Sequence, residues 1–200
     1  METPIALPDK PSARELSWVM DSTVARSTSP FSLTEQVYAW PGQRWSVIMK
    51  LPPMLTDEAL AWQAFFADLN GVEGTFWAGE PGFLRTPDVD FGMPYLDGDH
   101  SAGAAVKTAG WNPDQRVLYK GQKIELAGRI RQALADTYSD DTGLATVRCW
   151  PHARSLSGEV PLIWQNPQGV FRLRSVPEFT WDKHRMQAGF QFSADEVILP

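Results

Sequence analysis

The spacing of apolar residues in the first fifty positions predicts β-strands. Three runs, 16–20, 35–40 and 44–51, carry apolar side chains at every second position, which is the period of a strand. Pro41-Gly42 separates the last two runs and is a turn signal, so these two runs are predicted to form a hairpin. Residues 27–30 are predicted to form a loop. The apolar residues that share a face are Leu16, Trp18 and Met20, then Tyr38 and Trp40, then Trp45, Val47, Met49 and Leu51.

One amphipathic helix is predicted over residues 57–69. Thr56 is the expected N-cap, Asp57 and Glu58 lie in the first turn where the helix dipole favours anions, and Gly71 is the expected stop. Leu55 and Leu60 are spaced for a hydrophobic staple. The residues predicted to form the apolar stripe, and to pack on a sheet, are Trp62, Phe65, Phe66 and Leu69.

The remainder of the chain falls into stretches that differ in composition and in the spacing of their apolar residues. Residues 79–103 are rich in Gly, Pro and Asp, and short β-like runs separated by turns follow from about residue 115 to 164. That spacing suggests a small sandwich or barrel. The final runs, 170–174, 178–181 and 186–192, resemble the N-terminal strands. We therefore predict a mainly β chain, with a β-sandwich domain built from 1–83 and 165–200 and an inserted β domain at 84–164.

Composition narrows the classes of function. The chain of 200 residues has a formal net charge of −6 and no run of Lys or Arg, which argues against specific nucleic-acid binding. No apolar run reaches the ~18 residues of a membrane span, and no secretory pattern follows Met1. The single cysteine, Cys149, fits synthesis in a reducing cytoplasm.

The candidate chemistry is weak throughout. Asp90-Phe91-Gly92 matches the three-letter kinase motif without its companion loops, so a buried Phe in a loop is the preferred interpretation. Cys149 falls in an alternating run and is interpreted as a half-buried strand residue. We predict no catalytic, cofactor-binding or metal-binding residue and no enzyme activity. The other residues considered are the acids Asp97, Asp99, Asp136, Asp140 and Asp141 and the histidines His100, His152 and His184.

A series of packing and turn residues resembles a known family. The series begins with a G-x-R-W strand at 42–45, a break at 51–54 and a helix sequence at 61–66, and it continues through Gly74-Thr75-Phe76 and Glu80-Pro81. Later members are Gly110-Trp111, Lys120-Gly121, Asp140 to Gly143, Trp150 to Arg154 and Phe171-Arg172-Leu173. This pattern resembles the distal tail proteins of long-tailed, siphophage-type bacteriophages, over about residues 37–193.

The resemblance implies a structural virion protein at the phage tail tip. It implies a homohexameric ring of β-sandwich domains, an inserted OB-like barrel, and as neighbours the tail tube protein and the tail hub, tip and fibre proteins. The expected localisation is the virion, after synthesis in the host cytoplasm. DNA would pass through the ring, and from the negative charge balance we predict a neutral or acidic wall; the alternative is that the acids only keep the outer surface soluble. The acids considered for that wall are Asp57, Glu58, Asp88, Asp90, Asp97 and Asp99.

Two other functions stay open from the sequence. The inserted domain could serve as a carbohydrate-binding module for host-surface glycans, because nine Trp residues offer faces on which sugars stack. A small hydrolase built on a pair of carboxylates is the third hypothesis. Oligomeric state separates the ring from both alternatives. The Trp residues at 40, 45, 62 and 77 lie in periodic runs, which favours packing in a core or between subunits over a sugar cleft.

Overall fold

A computed structural model describes residues 3–80, 90–181, 186–187 and 189–198. The chain is mainly β, with 52% of residues in strands and 7% in helix, which confirms the predicted fold class. The elements are β1 (Ile5–Ala6), β2 (Glu15–Thr28), β3 (Glu35–Lys50), β4 (Met54–Leu55), α1 (Thr56–Asp68), β5 (Phe76–Gly79), β6 (Gly92–Leu96), β7 (Gly103–Trp111), β8 (Arg116–Leu118), β9 (Lys123–Leu126), β10 (Arg129–Ala133), β11 (Thr137–Tyr138), β12 (Ala145–Ala153), β13 (Leu162–Ile163), β14 (Gln168–Leu173), β15 (Met186–Gln187) and β16 (Gln191–Glu196).

The first sheet joins strands from the two ends of the sequence. Its order is β1-β5-β14-β16-β3-β2, so β14 and β16 from the C-terminal part lie between β5 and β3. β1 pairs with β5 in parallel and the other neighbours are antiparallel. Trp45, Val47 and Met49 point into one core, as their alternation predicts.

Helix α1 covers one face of this sheet. Its stripe is buried as predicted, and the Phe65 and Phe66 rings lie 5.6 Å from Phe76 and 5.3 Å from Phe192, centroid to centroid. The helix begins at Thr56, one residue earlier than expected, so Leu55 and not Thr56 occupies the N-cap position. The Glu58 carboxylate accepts the Leu55 N–H at 3.3 Å and thereby satisfies a backbone donor that the first turn leaves open.

The two ends of α1 differ in how well the sequence predicted them. Leu55 and Leu60 are both more than half exposed, so the expected staple is not a buried contact. Asn70 and Gly71 both have positive φ, which ends the helix where Gly71 indicated.

No helix in the described part of the chain has the length and apolarity to cross a bilayer.

The second sheet curls into a nearly closed, barrel-like shape. Its order is β13-β9-β10-β12-β7-β6, and all of its strands lie between residues 92 and 163. The edges approach each other where the Leu96 N–H donates to the Val160 carbonyl at 2.8 Å, next to a β-bridge between Tyr95 and Pro161. Its interior includes Phe91, Trp111, Val147, Cys149 and Trp164. The specifically OB-like topology stays a prediction.

The structure corrects three local predictions. Pro41-Gly42 is not a hairpin turn, because β3 runs through it and pairs with β2 on both sides of an irregularity in register. A bulge tolerates Pro, which lacks the N–H, and a Cβ on Gly42 would lie 2.6 Å from Thr23 Oγ1. The hairpin turn lies instead at 29–34. Residues 92–96 and 103–111 form strands that were not predicted, whereas residues 178–180 form none.

Candidate assembly surface

The β2–β3 hairpin extends well beyond the first sheet. β16 accompanies β3 only as far as the Asp195–Ser46 pair, whereas β2 and β3 remain paired outward to Thr28–Glu35. We call residues 22–43, which include the turn between the strands, the ribbon. At about 3.3 Å per residue its strands project roughly 25 Å. Every residue from 22 to 41 except Ser29 is exposed.

The ribbon exposes large apolar side chains to solvent. The register places Tyr38 opposite Ala25 and Val24 opposite Ala39, so apolar residues occupy both faces. Phe31, in the turn, is 98% exposed. The other large apolar residues of the ribbon that are exposed are Val24, Leu33, Val37, Tyr38 and Trp40. A two-stranded hairpin without a packed face is marginally stable in water, so this surface is typical of one that another chain covers.

Both backbone edges of the ribbon are open. β2 is the last strand of the first sheet, and β3 loses its second neighbour beyond Ser46. Within the described residues, no strand pairs with the outer edge of β2 or with residues 35–44 on the far side of β3. Long unpaired edges present rows of N–H and C=O groups that favour pairing with another chain.

The ribbon is neutral although the chain is acidic. Its two charged residues, Arg26 and Glu35, form an exposed ion pair with 3.7 Å between Nη1 and Oε1. Such a pair contributes little to stability. It does leave the ribbon without net charge in a chain of −6, so two ribbons have no net charge with which to repel each other.

The base of the ribbon lies against the second sheet. The rings of Trp45 and Trp150 meet edge to face at 4.7 Å, and Ile130 of β10 belongs to the core of the first sheet. The Lys123 ammonium contacts the Glu80 carboxylate and lies 4.2 Å from the ring centroid of Trp18. Burial lowers the pKa of Lys123 to about 8, since the neutral amine is easier to bury than the ammonium.

Those of the residues considered for chemistry that the structure describes do not converge on a site. In the described part of the chain, no group of three or more His, Cys, Asp or Glu side chains is placed to hold a metal ion. Phe91 is buried, as the non-kinase interpretation requires, and Cys149 is fully buried, where we predicted half-buried. Burial raises the pKa of its thiol, which disfavours the reactive thiolate. His184 and Asp88 lie outside the described residues.

The candidate acids serve mainly local structure or face solvent. Asp140 Oδ1 accepts the Leu144 and Thr142 N–H groups at 2.8 and 2.9 Å, which closes the predicted turn at 139–143 and holds the pKa of Asp140 below its usual value. Asp136 accepts the Lys120 N–H. Of the acids considered for a DNA path, Glu58 is half-buried at the start of α1. The exposed ones are Asp57, Asp90, Asp97 and Asp99.

No protein-family model and no curated protein matches this chain. The surface is therefore interpreted from its own geometry. Sequence reasoning missed its size, because the segment 22–34 lacks a buried face and so lacks the alternation that marks a half-buried strand. The available signal was the run Thr23 to Thr28, which holds β-formers without any helical period.

Proposed function

We propose that this chain is a structural subunit of a phage tail tip. Copies of it form a ring that joins the tail tube to the tip and the host-adhesion apparatus. The observation that carries the assembly role is the ribbon, which exposes apolar faces and two open edges. The phage context is supported by the motif resemblance, whose first members, at 42–45, 51–54 and 61–66, belong to β3, the break after it and α1.

The geometry of the ribbon favours a head-to-tail contact. Its two open edges belong to different strands, so the β2 edge of one copy can receive the β3 edge of the next. A contact between two unlike patches generates a closed ring when the rotation between copies divides a full turn. The resemblance sets the expected number at six. The role is structural, and the neighbouring proteins in the assembly are the tail tube, hub and fibre proteins.

Replacing apolar residues of the ribbon tests the assembly role. We expect the purified protein to sediment as a ring with a concentration-dependent monomer fraction, and to appear as rings in negative stain. Tyr38→Lys/Trp40→Lys should abolish the ring, because both side chains are exposed in the monomer and would be buried between copies. Circular dichroism should show that the variant remains folded.

A matched control separates assembly from a general effect of added charge. Met93 and Tyr138 are also exposed apolar residues, but they lie away from the ribbon, on β6 of the second sheet and on β11, which pairs with β8, so Met93→Lys/Tyr138→Lys should assemble normally. Rings that survive the ribbon substitutions would refute the ribbon as the contact. Monomers alone over a wide concentration range, including with a tail-tube partner added, would refute the ring itself.

A further inference from the structure

The direction of the ribbon depends on a weak point at its base. β3 has β2 and β16 as neighbours up to Ser46, and from Trp45 outward β2 is its one strand neighbour among the described residues. One residue beyond the Ser22–Gln43 pair, the register shifts, and pairing resumes at Val24–Ala39. Bulges bend and twist a strand pair. A ribbon that begins at such a place needs further contacts if it is to point in one direction.

Those contacts come from the second sheet and converge on Gln43. The Gln43 carbonyl accepts a hydrogen bond from Arg129 Nη2 at 3.0 Å, and its side-chain Oε1 accepts the His152 N–H at 2.9 Å. Arg129 begins β10 and His152 lies in β12, so two strands of the barrel hold one residue of the ribbon.

Arg129 is itself fixed by a buried carboxylate. Glu196 Oε2 accepts from Arg129 Nη2 at 2.8 Å, and Glu196 Oε1 accepts the Ile130 N–H at 2.8 Å. The Glu196 side chain is 0% exposed and that of Arg129 is 11% exposed. A buried pair with several hydrogen bonds tolerates little change in geometry, since any displacement leaves a charge without a partner.

We propose that Gln43, Arg129 and Glu196 are positioning residues for assembly: they fix the direction in which the ribbon leaves the first sheet relative to the barrel. This inference rests on the proposed function, because the ribbon matters as the contact between copies. Besides joining the two sheets, this contact ends on Gln43, the last residue of β3 that pairs with β2 before the register shifts, so a displacement of the barrel would carry the base of the ribbon with it.

The test measures ribbon direction in the monomer. Spin labels at Ser32→Cys in the ribbon turn and Asp141→Cys on the barrel report their separation by pulsed electron resonance, and the native Cys149, being 0% exposed, stays unlabelled. Gln43→Ala removes the acceptor for His152. Arg129→Met/Glu196→Gln removes the donor to Gln43 while keeping an acceptor for Ile130. Both should broaden the distance distribution about twofold or more, as expected of an unsupported strand pair at a bulge.

The control is Gln36→Ala, whose side chain accepts only the Tyr38 hydroxyl within the ribbon among the described contacts. It should leave the distribution unchanged. The Gln43 and Arg129/Glu196 variants should also shift ring formation to higher concentration in sedimentation, while circular dichroism stays native. An unchanged distance distribution in both of these variants would overturn the inference even if rings form. Monomers only in the unsubstituted protein would instead refute the proposed function, and the distance measurement would still decide whether the three residues hold the ribbon.

Discussion

Three buried charged residues, Lys123, Arg129 and Glu196, join the two sheets, and each has different partners. Glu196 receives N–H groups from both sheets, and Arg129 bonds to Glu196 and to a carbonyl. Lys123 contacts the Glu80 carboxylate and lies over two Trp rings. A charge taken out of water is costly unless it is paired, so these contacts favour one arrangement of the sheets over nearby ones.

Lys123 should make stability depend on pH in the alkaline range. Burial lowers its pKa to about 8 from 10.5, so between these values the unfolded chain binds the proton more strongly than the folded chain. The free energy of unfolding should therefore rise with pH from about 8 to about 10.5, the sign that proton linkage gives when the unfolded state holds more protons. At about 1.4 kcal/mol per pKa unit the gain is at most about 3 kcal/mol, and the Glu80 contact reduces it by favouring the ammonium.

Urea unfolding of the unsubstituted protein and of Lys123→Met between pH 7 and 10 measures this contribution as a difference between the two. The free energy of unfolding of the unsubstituted protein minus that of Lys123→Met should increase as the pH rises. The exposed Lys120 supplies the control: the free energy of unfolding of the unsubstituted protein minus that of Lys120→Met should not change with pH. A flat profile for Lys123→Met as well would show that the buried amine does not titrate in this range.

At the level of single elements, substitutions in helix α1 give the clearest test of the core of the first sheet. Phe65 is 5% exposed and its ring centroid lies within 5.7 Å of those of Trp62, Phe66 and Phe76. Phe65→Ala removes these contacts and leaves a cavity, so it should cost about 3–5 kcal/mol. Leu60→Ala on the exposed side of the same helix should cost roughly 0.5 kcal/mol or less. Equal melting of the two variants would mean that the stripe is not core.

The elements that sequence predicted are those with one buried face. The run 44–51 and the stripe of α1 show their period because alternate side chains enter a core. β7 was missed because its sequence, from Gly103 to Trp111, is rich in Ala and Gly, which carry little signal of burial or of β-propensity. β2 was predicted only at its inner end, because beyond Met20 neither face is covered by the chain itself.

The residues at the base of the ribbon could not be predicted for a different reason. Glu196 and Arg129 are 67 positions apart in the chain, and nothing in either local sequence indicates the other. Their partnership exists only because β14 and β16 return beside β3 and bring the end of β16 against β10. Contacts of this kind depend on topology, whereas the helix and the alternating strands depend on local period.

At the scale of the whole molecule, the charge distribution suits a ring through which DNA passes. The chain is acidic at −6, and the ribbon is neutral. In the proposed ring, neutral contacts between copies would allow acidic subunits to assemble, and carboxylates elsewhere would remain free to repel phosphate. The exposed Asp57, Asp90, Asp97 and Asp99 lie outside the ribbon.

We predict that the assembled ring presents a neutral or acidic wall to DNA and does not bind it. Lysines and arginines facing the path would each engage a phosphate, and several together would produce strong, salt-sensitive binding that retards ejection. Carboxylates instead keep the polymer away within a Debye length of about 8 Å at physiological salt. Fluorescence anisotropy of labelled duplex DNA, titrated with purified rings from 50 to 200 mM salt, should show no saturable binding at about 150 mM, a salt level at which a basic channel would still bind. Tight binding there, with the steep salt dependence of phosphate contacts, would refute the prediction, as would a density map with a lumen lined mainly by Lys and Arg.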